Sequence, residues 1–498
     1  MSSPYAHTLL FAILLALLQP PVAEATPGNA AEPEHSRCSG TDTAGPIAPT
    51  PADPYPLMAA RWGPELGKGY MVSRWAEDWS GLREAGTAPM LKARKLGEEA
   101  TLTVNAELRL RHVQQRNRQL RRGQDPGQTQ LRAVLGADLR FSDNVRVYGE
   151  LGVGQVDAAR DGTAANFQND ASVQQFFVDA RSRRGGTMLG AMLGRQEFSD
   201  GPRQLISLSD GPNLHRTWNG ARVYLHGERY RIGAFDLRAT RLKGGDFDDG
   251  INHQEILRGA TASFIVSGRD GPNTYLDPFW FHTENPSARI GPHVGHDRRD
   301  TVGLRLWGRR GALRYDWTAA YQRGRVLDGR RSEAWSLFAV QSLELSDGTW
   351  KPRLGMRVDL ASGGGTYEQG TLRAFHSLYA SSNYLGEGQL LGLSNLAMVA
   401  PSLSVSPTSR TSFTFEYGYA QRLEQTDVVY AGGMRAYPGT QNAPGRHIGN
   451  LARLSANWSP RPQLTLTLNL EHLAAGSVLH GAGYPSGSYG YLSATYRY

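Results

Sequence analysis

Residues Thr101–Arg111 read TLTVNAELRLR, and apolar and polar side chains alternate strictly along this stretch. One face carries Leu102, Val104, Ala106, Leu108 and Leu110, and the other carries Thr101, Thr103, Asn105, Glu107, Arg109 and Arg111. A period of two places every apolar side chain on one face of an extended strand, whereas a helix needs a period of about 3.6. The stretch therefore predicts a β-strand with one apolar face and one charged face.

The same alternation recurs along the rest of the chain, for example in Leu131–Phe141, Leu354–Leu360 and Leu464–Leu470. Counting such segments predicts strands over 100–113, 129–141, 144–155, 173–182, 187–197, 218–227, 229–241, 257–267, 273–283, 300–309, 312–323, 332–344, 350–361, 394–405, 410–421, 448–459, 462–474 and 486–498. An even number of strands with about ten residues of alternating polarity is typical of bacterial outer-membrane barrels. We predict an all-β fold, a single transmembrane antiparallel up-and-down β-barrel of about 18 strands.

The predicted connections alternate in length, as they do in such barrels. Short turns fall at 142–143, 184–186, 268–271, 310–311, 346–348 and 460–461, and long loops fall at 113–128, 157–172, 198–217, 242–256, 284–299, 362–393 and 422–447. If the short turns lie on the periplasmic side of the membrane, both chain termini are in the periplasm as well. A soluble β-sandwich or propeller is the alternative, but burying so charged a face is costly. Aromatic residues near strand ends, such as Trp317, Tyr321 and Trp458, also fit interfacial girdles.

The N-terminal region predicts an exported protein. An apolar run from Leu9 to Leu18 is broken by Pro20 and Pro21 and followed by Ala23-Glu24-Ala25, which is typical of a signal peptide over 1–25. The proline-rich segment 26–60 predicts a disordered linker. Residues 61–99 are expected to be a periplasmic lead-in, and 100–498 the barrel. After residue 25, no apolar run approaches the roughly 18 residues of a membrane helix, and the single cysteine has no partner.

Arginine dominates the charge of the chain. The sequence has 54 basic and 46 acidic residues and a net charge of +8, and only five of the basic residues are lysine. The register set by the apolar rows predicts that the lumen is lined by Arg109, Arg132, Arg140, Arg195, Glu197, Arg305, Arg353, Arg357, Asp359 and Arg453. Gln196 and Arg216 are also predicted to bind the solute in the lumen. Arginines in a water-filled pore favour anions. The alternative is that they pair with nearby acids and brace the wall.

An ordered set of motifs adds a family resemblance. The set comprises Arg74-Trp75-Ala76-Glu77-Asp78-Trp79-Ser80, Glu107-Leu108-Arg109-Leu110-Arg111, Gly194-Arg195-Gln196-Glu197, Asp210-Gly211-Pro212-Asn213 with Arg216 and Gly220, and Asp359-Leu360-Ala361-Ser362-Gly363. It resembles the alginate export family over residues 70–498. The resemblance implies an eighteen-stranded outer-membrane barrel with an electropositive lumen that passes an anionic polyuronate outward, and loops that gate it. The chain departs from the family at Ile448–Leu454, where both of the family's usual acids are replaced and a positive charge is added.

We therefore predict an outer-membrane porin or exporter for an anionic polysaccharide or a small anionic solute. The alternatives are a surface receptor or adhesin and an uptake porin for organic anions. Loops 198–217 and 362–393 are expected to restrict the bore. Expected partners are outer-membrane lipid and the barrel assembly machinery, which would read the terminal aromatic Tyr498. We expect no nucleic-acid partner, because the basic segment Arg116–Arg122 lies in a polar loop.

No catalysis, cofactor or metal is expected. The sequence lacks the Gly-x-Ser-x-Gly motif of the serine hydrolases that use a nucleophile elbow. The acidic run Asp246–Gly250 offers oxygen ligands but lacks the twelve-residue calcium loop with its closing glutamate. An acidic loop is the simpler interpretation.

Overall fold

A computed structural model describes residues 67–157, 162–199, 203–267, 274–365, 367, 370–380 and 383–498. The predicted signal peptide, the predicted linker and Cys38 lie outside these residues. Eighteen long strands form one closed barrel, in which each strand pairs antiparallel with its neighbours in sequence. The last strand pairs with the first, with Thr495 opposite Arg109. The prediction of an all-β, eighteen-stranded antiparallel barrel is confirmed.

The barrel strands are numbered here in chain order. They are β1 Thr101–Arg116, β2 Gly127–Arg140, β3 Val145–Val156, β4 Asn169–Arg184, β5 Thr187–Glu197, β6 Thr217–His226, β7 Tyr230–Arg241, β8 Gly250–Ile265, β9 Thr274–Ile290, β10 His293–Arg310, β11 Leu313–Val326, β12 Arg330–Glu344, β13 Arg353–Ala361, β14 Leu396–Thr408, β15 Thr411–Gln421, β16 His447–Arg461, β17 Leu464–Ala475 and β18 Gly487–Arg497. Short strands at Gly67–Lys68, Glu77–Asp78, Arg94–Lys95, Val429–Ala431 and Arg435–Tyr437, short α-helices at Ser80–Glu84 and Ser477–Gly481, and 3-10 turns at Arg74–Ala76, Arg118–Leu120, Gly432–Met434 and Thr440–Asn442 complete the described structure.

Each predicted strand overlaps one observed strand, but two predicted loops are wrong. The predicted loop 284–299 is a continuation of β9 and β10, which meet at a turn between Ile290 and His293. The second half of the predicted loop 242–256 likewise belongs to β8, which begins at Gly250. Outward side chains in these extensions are polar, for example His253 and Arg298, because this part of the wall rises beyond the apolar band. Both faces of the strands are polar there, so the alternation of apolar and polar residues from which the strands were predicted is missing.

The outer wall is apolar, as the alternation predicted. Leu110, Val178 and Val223 are exposed on it, and their neighbours along each strand are buried. Trp317, Tyr321 and Trp458, the predicted girdle residues, are exposed on the same face. No helix among the described residues is long and apolar enough to span a membrane.

The interior is packed by chain from both ends of the barrel. At the end with the short turns (the turn end), lead-in residues Met71 and Trp75 pack against inward Tyr148, Phe177 and Met192. At the opposite end (the loop end), three long connections fold inward and share one apolar core, with members Phe198, Leu205, Ile206, Phe375, Leu390, Leu391, Val429 and Tyr437. The connections are 198–216, 362–395 and 422–446, and the first two are those expected to restrict the bore.

Candidate functional site

Halfway along the lumen, an Asp210 cluster joins the wall to the inward-folded loop 198–216. The Asp210 carboxylate accepts hydrogen bonds from Arg132 of β2 at 2.7 Å and from His215 Nε2 at 2.7 Å. Arg109 of β1 donates to the backbone carbonyls of Asp210 at 2.8 Å and Pro212 at 2.6 Å. Two predicted lumen arginines therefore hold the loop against the wall.

His215 occupies the centre of this cluster. Its Nδ1 contacts Glu197 of β5 while its Nε2 contacts Asp210. Burial disfavours a charged imidazole, but the two carboxylates outweigh burial and raise the pKa of His215 above its ordinary value. Burial would raise the pKa of the Asp210 carboxyl, but the charges of Arg132 and His215 hold that pKa well below its usual range. Glu197, a predicted site residue, is therefore the wall partner of a loop histidine.

A second cluster, the Glu416 cluster, lies across the lumen where loop 362–395 enters. Arg357 of β13 and Arg453 of β16 both pair with Glu416 of β15, Arg453 at 3.2 Å. Both guanidiniums also donate to the carbonyl of Tyr384, whose hydroxyl donates to Asp359 at 2.5 Å. Three predicted site residues thus meet at one loop tyrosine.

At the turn end, three arginines share one carboxylate. Arg309, Arg314 and Arg353 lie at 2.7 Å, 2.7 Å and 3.5 Å from Glu344. All four residues lie on the inward-facing side of their strands. Each is an even number of positions from a buried residue of the same strand, and these buried residues are Trp307, Thr318, Ser336 and Arg357. This group, the Glu344 cluster, has three positive charges around one negative charge.

Two other predicted arginines are held by acids near the same end. Arg305 of β10 pairs with Asp316 at 2.6 Å and lies 3.6 Å from Asp277. Arg140 of β2 pairs with Asp138 at 3.0 Å and donates to the backbone carbonyl of Glu77 in the lead-in. The lead-in therefore packs within the barrel rather than only preceding it.

The prediction for Arg195 is wrong. Arg195 lies directly opposite Phe176 in the sheet and so shares its face, and Phe176 is 59% exposed on the outer wall. Its guanidinium donates to Val173 O at 2.7 Å and lies 3.8 Å from Asp249, at a cavity of about 400 Å³. Gln196, next along the chain, is buried on the inner face. Apolar residues on both faces of β5 left its register undecided in the sequence.

Arg216 belongs to the loop rather than to the wall. It donates to the carbonyl of Tyr379 at 3.0 Å, and its guanidinium lies 5.0 Å from the centre of the Tyr379 ring. Burial lowers the pKa of Arg216, and the charge of Glu255 opposes that effect. It therefore joins two of the inward loops to each other.

At the loop end, two arginines of the basic segment Arg116–Arg122 converge with two arginines from other parts of the chain, which the sequence did not single out. Arg118 and Arg121 come from the β1–β2 loop, Arg289 from β9 and Arg435 from the loop after β15. The pKa of Arg435 is lowered, mainly by burial and also by the like charges of Arg289, Arg118 and Arg121. Tyr437 opposes this shift. Within the described part of the chain, no carboxylate lies within ion-pairing distance of any of the four. We call them the mouth arginines.

The sequence matches the family model described as "Alginate export" over residues 100–490. The chain belongs to the alginate export family. Family and fold are those of outer-membrane transport channels, and this alginate export family member is an integral outer-membrane β-barrel. No curated protein matches the sequence.

Solved structures share the barrel fold at low identity. OccAB1 of Acinetobacter baumannii is 11% identical, with a TM-score of 0.54 over 82% of this chain and 98% of that one. OpdK of Pseudomonas aeruginosa is 13% identical, with a TM-score of 0.51 over 79% and 98%. OccK2 (OpdF) of the same organism, solved in complex with glucuronate, is 11% identical, with a TM-score of 0.50 over 80% and 96%. These likenesses establish the fold.

The lumen of this alginate export family barrel is lined by clusters of paired charges. Among the described residues, no group of three or more His, Cys, Asp or Glu side chains could hold a metal ion. What the arrangement can do is bind and exchange carboxylates. In the Glu344 and Glu416 clusters, each carboxylate is shared by at least two guanidiniums, so a solute carboxylate could replace the protein's own.

Proposed function

We propose that this protein is a channel for anionic sugars, either an acidic polysaccharide or a small sugar acid, with its loop end facing outward. The supporting observation is the sign of the charge at the two openings. The mouth arginines have no carboxylate partner in the described chain, and the Glu344 cluster has three arginines around one acid. Positive charge at both ends of a low-dielectric lumen concentrates anions and repels cations.

Between the ends, a carboxylate would pass by exchange. At the Glu416 cluster, Arg357 and Arg453 already bind one carboxylate and two loop carbonyls. A solute carboxylate can replace Glu416 at one guanidinium while the other retains it, so no charge is left unpaired. Guanidinium binds carboxylate in a planar, two-point geometry. The protein's acids also keep each contact weak enough to release, which conduction requires.

The inward loops favour short solutes over polymer while they remain docked. Loops 198–216, 362–395 and 422–446 share an apolar core inside the loop end, and Arg109 and Arg453 hold two of them to the wall. An uptake porin for organic anions is therefore the second candidate. OccK2, which shares this fold, was solved in complex with glucuronate, a sugar acid.

The test is single-channel recording of the refolded full chain in planar bilayers, with reversal potentials under a KCl gradient. We expect anion selectivity, and current block by glucuronate that glucose does not produce. Oligouronates of increasing length would then separate the candidates, because a polymer channel binds the longer chains more tightly. Cation selectivity would contradict the proposal.

A set of variants isolates the mouth arginines. Arg118→Gln, Arg121→Gln and Arg435→Gln together should reduce the anion preference. The matched control replaces the same number of exposed arginines at turn-end positions 183, 184 and 310, which hold no carboxylate in the described structure. A control that loses as much selectivity as the mouth variant would assign the effect to net charge alone.

A further inference from the structure

The outer wall has a row of three arginines that the channel function does not use. Arg298 of β10 lies directly opposite Arg325 of β11, and Arg325 lies directly opposite Arg331 of β12. All three are exposed, Arg298 and Arg331 by about 60%. Directly opposite side chains lie on the same face about 5 Å apart, and like charges at that spacing repel. The three guanidiniums therefore repel one another, and a bound anion would reduce this repulsion.

Among the described residues, the central arginine of the row has no acid of its own. Arg298 pairs with Glu284 at 3.0 Å and Arg331 with Glu333 at 2.6 Å. Arg325 donates to the carbonyl of Gly329, at 3.1 Å. Arg323, one level below the row on the same face, lies directly opposite Asp300 and Glu333. The centre of the row is thus positive and open to the outside.

The height of the row on the barrel indicates what meets it. Four residues below it on the same face, Val302, Tyr321 and Trp335 form an apolar and aromatic row that is nearly half exposed. Four residues span about 13 Å of strand, or about 10 Å of height for a strand tilted by about 40°. The polar region on each side of a bilayer is about 5 to 8 Å thick. The long arginine side chains can therefore reach the headgroups beside the wall.

We propose that Arg298, Arg325 and Arg331 bind the phosphate groups of an outer-leaflet glycolipid of the lipopolysaccharide class. The inference rests on the orientation in the proposed function, in which the loop end faces outward. Three guanidiniums in one row can contact two phosphates of a single headgroup, and the aromatic row beneath accommodates its acyl chains. At the turn end, the outermost outward row of the same three strands reads Arg310, Leu313 and Leu343, so three adjacent arginines occur at the loop end and not at the turn end of these strands.

The test uses the full chain in detergent, titrated with bisphosphorylated lipid A and read by native mass spectrometry. The triple variant Arg298→Gln/Arg325→Gln/Arg331→Gln should bind about 100-fold more weakly, and Arg325→Gln alone about fivefold, if each arginine contributes as basic residues do near anionic lipid. Dephosphorylated lipid A should bind the wild type and the variants alike. The control is the turn-end triple variant at positions 183, 184 and 310.

Unchanged affinity in a folded triple variant would overturn the inference, as would a wild type that does not distinguish the two lipids. Folding is checked by the heat-modifiable shift of the barrel on gels, and the single variant serves if the triple variant does not fold. The three side chains face away from the lumen, so the triple variant should retain the reversal potential of the wild type. Failure of lipid binding is thereby distinguishable from failure of the channel proposal.

Discussion

Replacing Glu416 with glutamine should make the channel more anion-selective. Glu416 is the carboxylate that Arg357 and Arg453 share, and it is about one-sixth exposed. The substitution keeps the size of the side chain and removes its charge. Arg357 retains Asp359 at 3.3 Å, and Arg453 retains the carbonyls of Asn383 and Tyr384 at 3.0 Å each. The guanidiniums thus stay in place while the lumen gains one positive charge.

The size of the effect follows from Coulomb's law. An anion passing about 7 Å from the site, with water between, gains about 0.6 kcal/mol from one added unit of positive charge. A cation loses the same energy, so the ratio of anion to cation permeability should change by about sevenfold. The assay is the reversal potential of single channels under a KCl gradient.

The matched control is Glu333→Gln. Glu333 lies on the outer wall, opposite Arg323, and its loss changes the net charge of the protein by the same amount. We expect the control to leave the reversal potential unchanged. A folded Glu416 variant with an unchanged or lowered anion preference would refute the assignment of this cluster to the permeation path.

Three further predictions test other parts of the barrel. The pKa of His215 is raised, so its ion pairs with Glu197 and Asp210 are complete below about pH 6.5 and are lost as the pH rises through the folded-state pKa. Because these pairs hold the inward loop 198–216 to the wall, single-channel current should rise with pH. His215→Gln should remove that pH dependence. Arg195→Gln should leave ion selectivity unchanged in the same recordings, because the Arg195 side chain lies on the outer face of the barrel. A clear loss of anion preference would show that Arg195 contributes to the lumen after all. Gly194→Ala should lower the free energy of unfolding, measured by urea titration, by at least about 2 kcal/mol, because φ of Gly194 is +131° and a Cβ there would lie 2.3 Å from Phe176 O. Gly250→Ala, which has open space around it, should leave the free energy of unfolding unchanged.

The barrel could be predicted from the sequence because its strands are specified locally. A strand between lipid and lumen must alternate in polarity, so Leu464–Leu470 or Thr101–Arg111 is sufficient to identify the element and its face. The prediction was wrong where that physical contrast ends. In the upper parts of β9 and β10, outward His282 and Arg298 lie above the apolar band, and both faces are polar.

The register of β5 shows a different limit. Met188 and Met192 point inward and Leu189 and Leu193 point outward, so apolar residues occupy both faces. The inward methionines pack against the lead-in residue Trp75 inside the barrel. A lumen that is filled by another segment of the chain can be apolar, and the sequence of one strand does not reveal what fills it. The placement of Arg195 on the inner face was wrong for this reason.

The mouth arginines were beyond sequence reasoning because they are brought together only by folded loops. Arg118, Arg289 and Arg435 are far apart in the chain, and each alone is an ordinary polar loop or strand-end residue. The acids that pair with the predicted lumen arginines were missed likewise. Asp210 and Glu387 come from loops, so the alternation along the strands gave no sign that they would pair with wall arginines.

The preference for arginine over lysine follows from what fills the lumen. A loop folded inside a barrel brings backbone carbonyls away from water, and those carbonyls need donors. Arg109 satisfies carbonyls of residues 210 to 212, and Arg422 satisfies those of Thr440, Ala443 and Gly445. A guanidinium offers five donors in a fixed plane, and an ammonium offers three on one atom. Much of the basic excess therefore holds loops, and the mouth arginines, which have no carboxylate within ion-pairing distance in the described chain, are the ones that we propose meet a solute first.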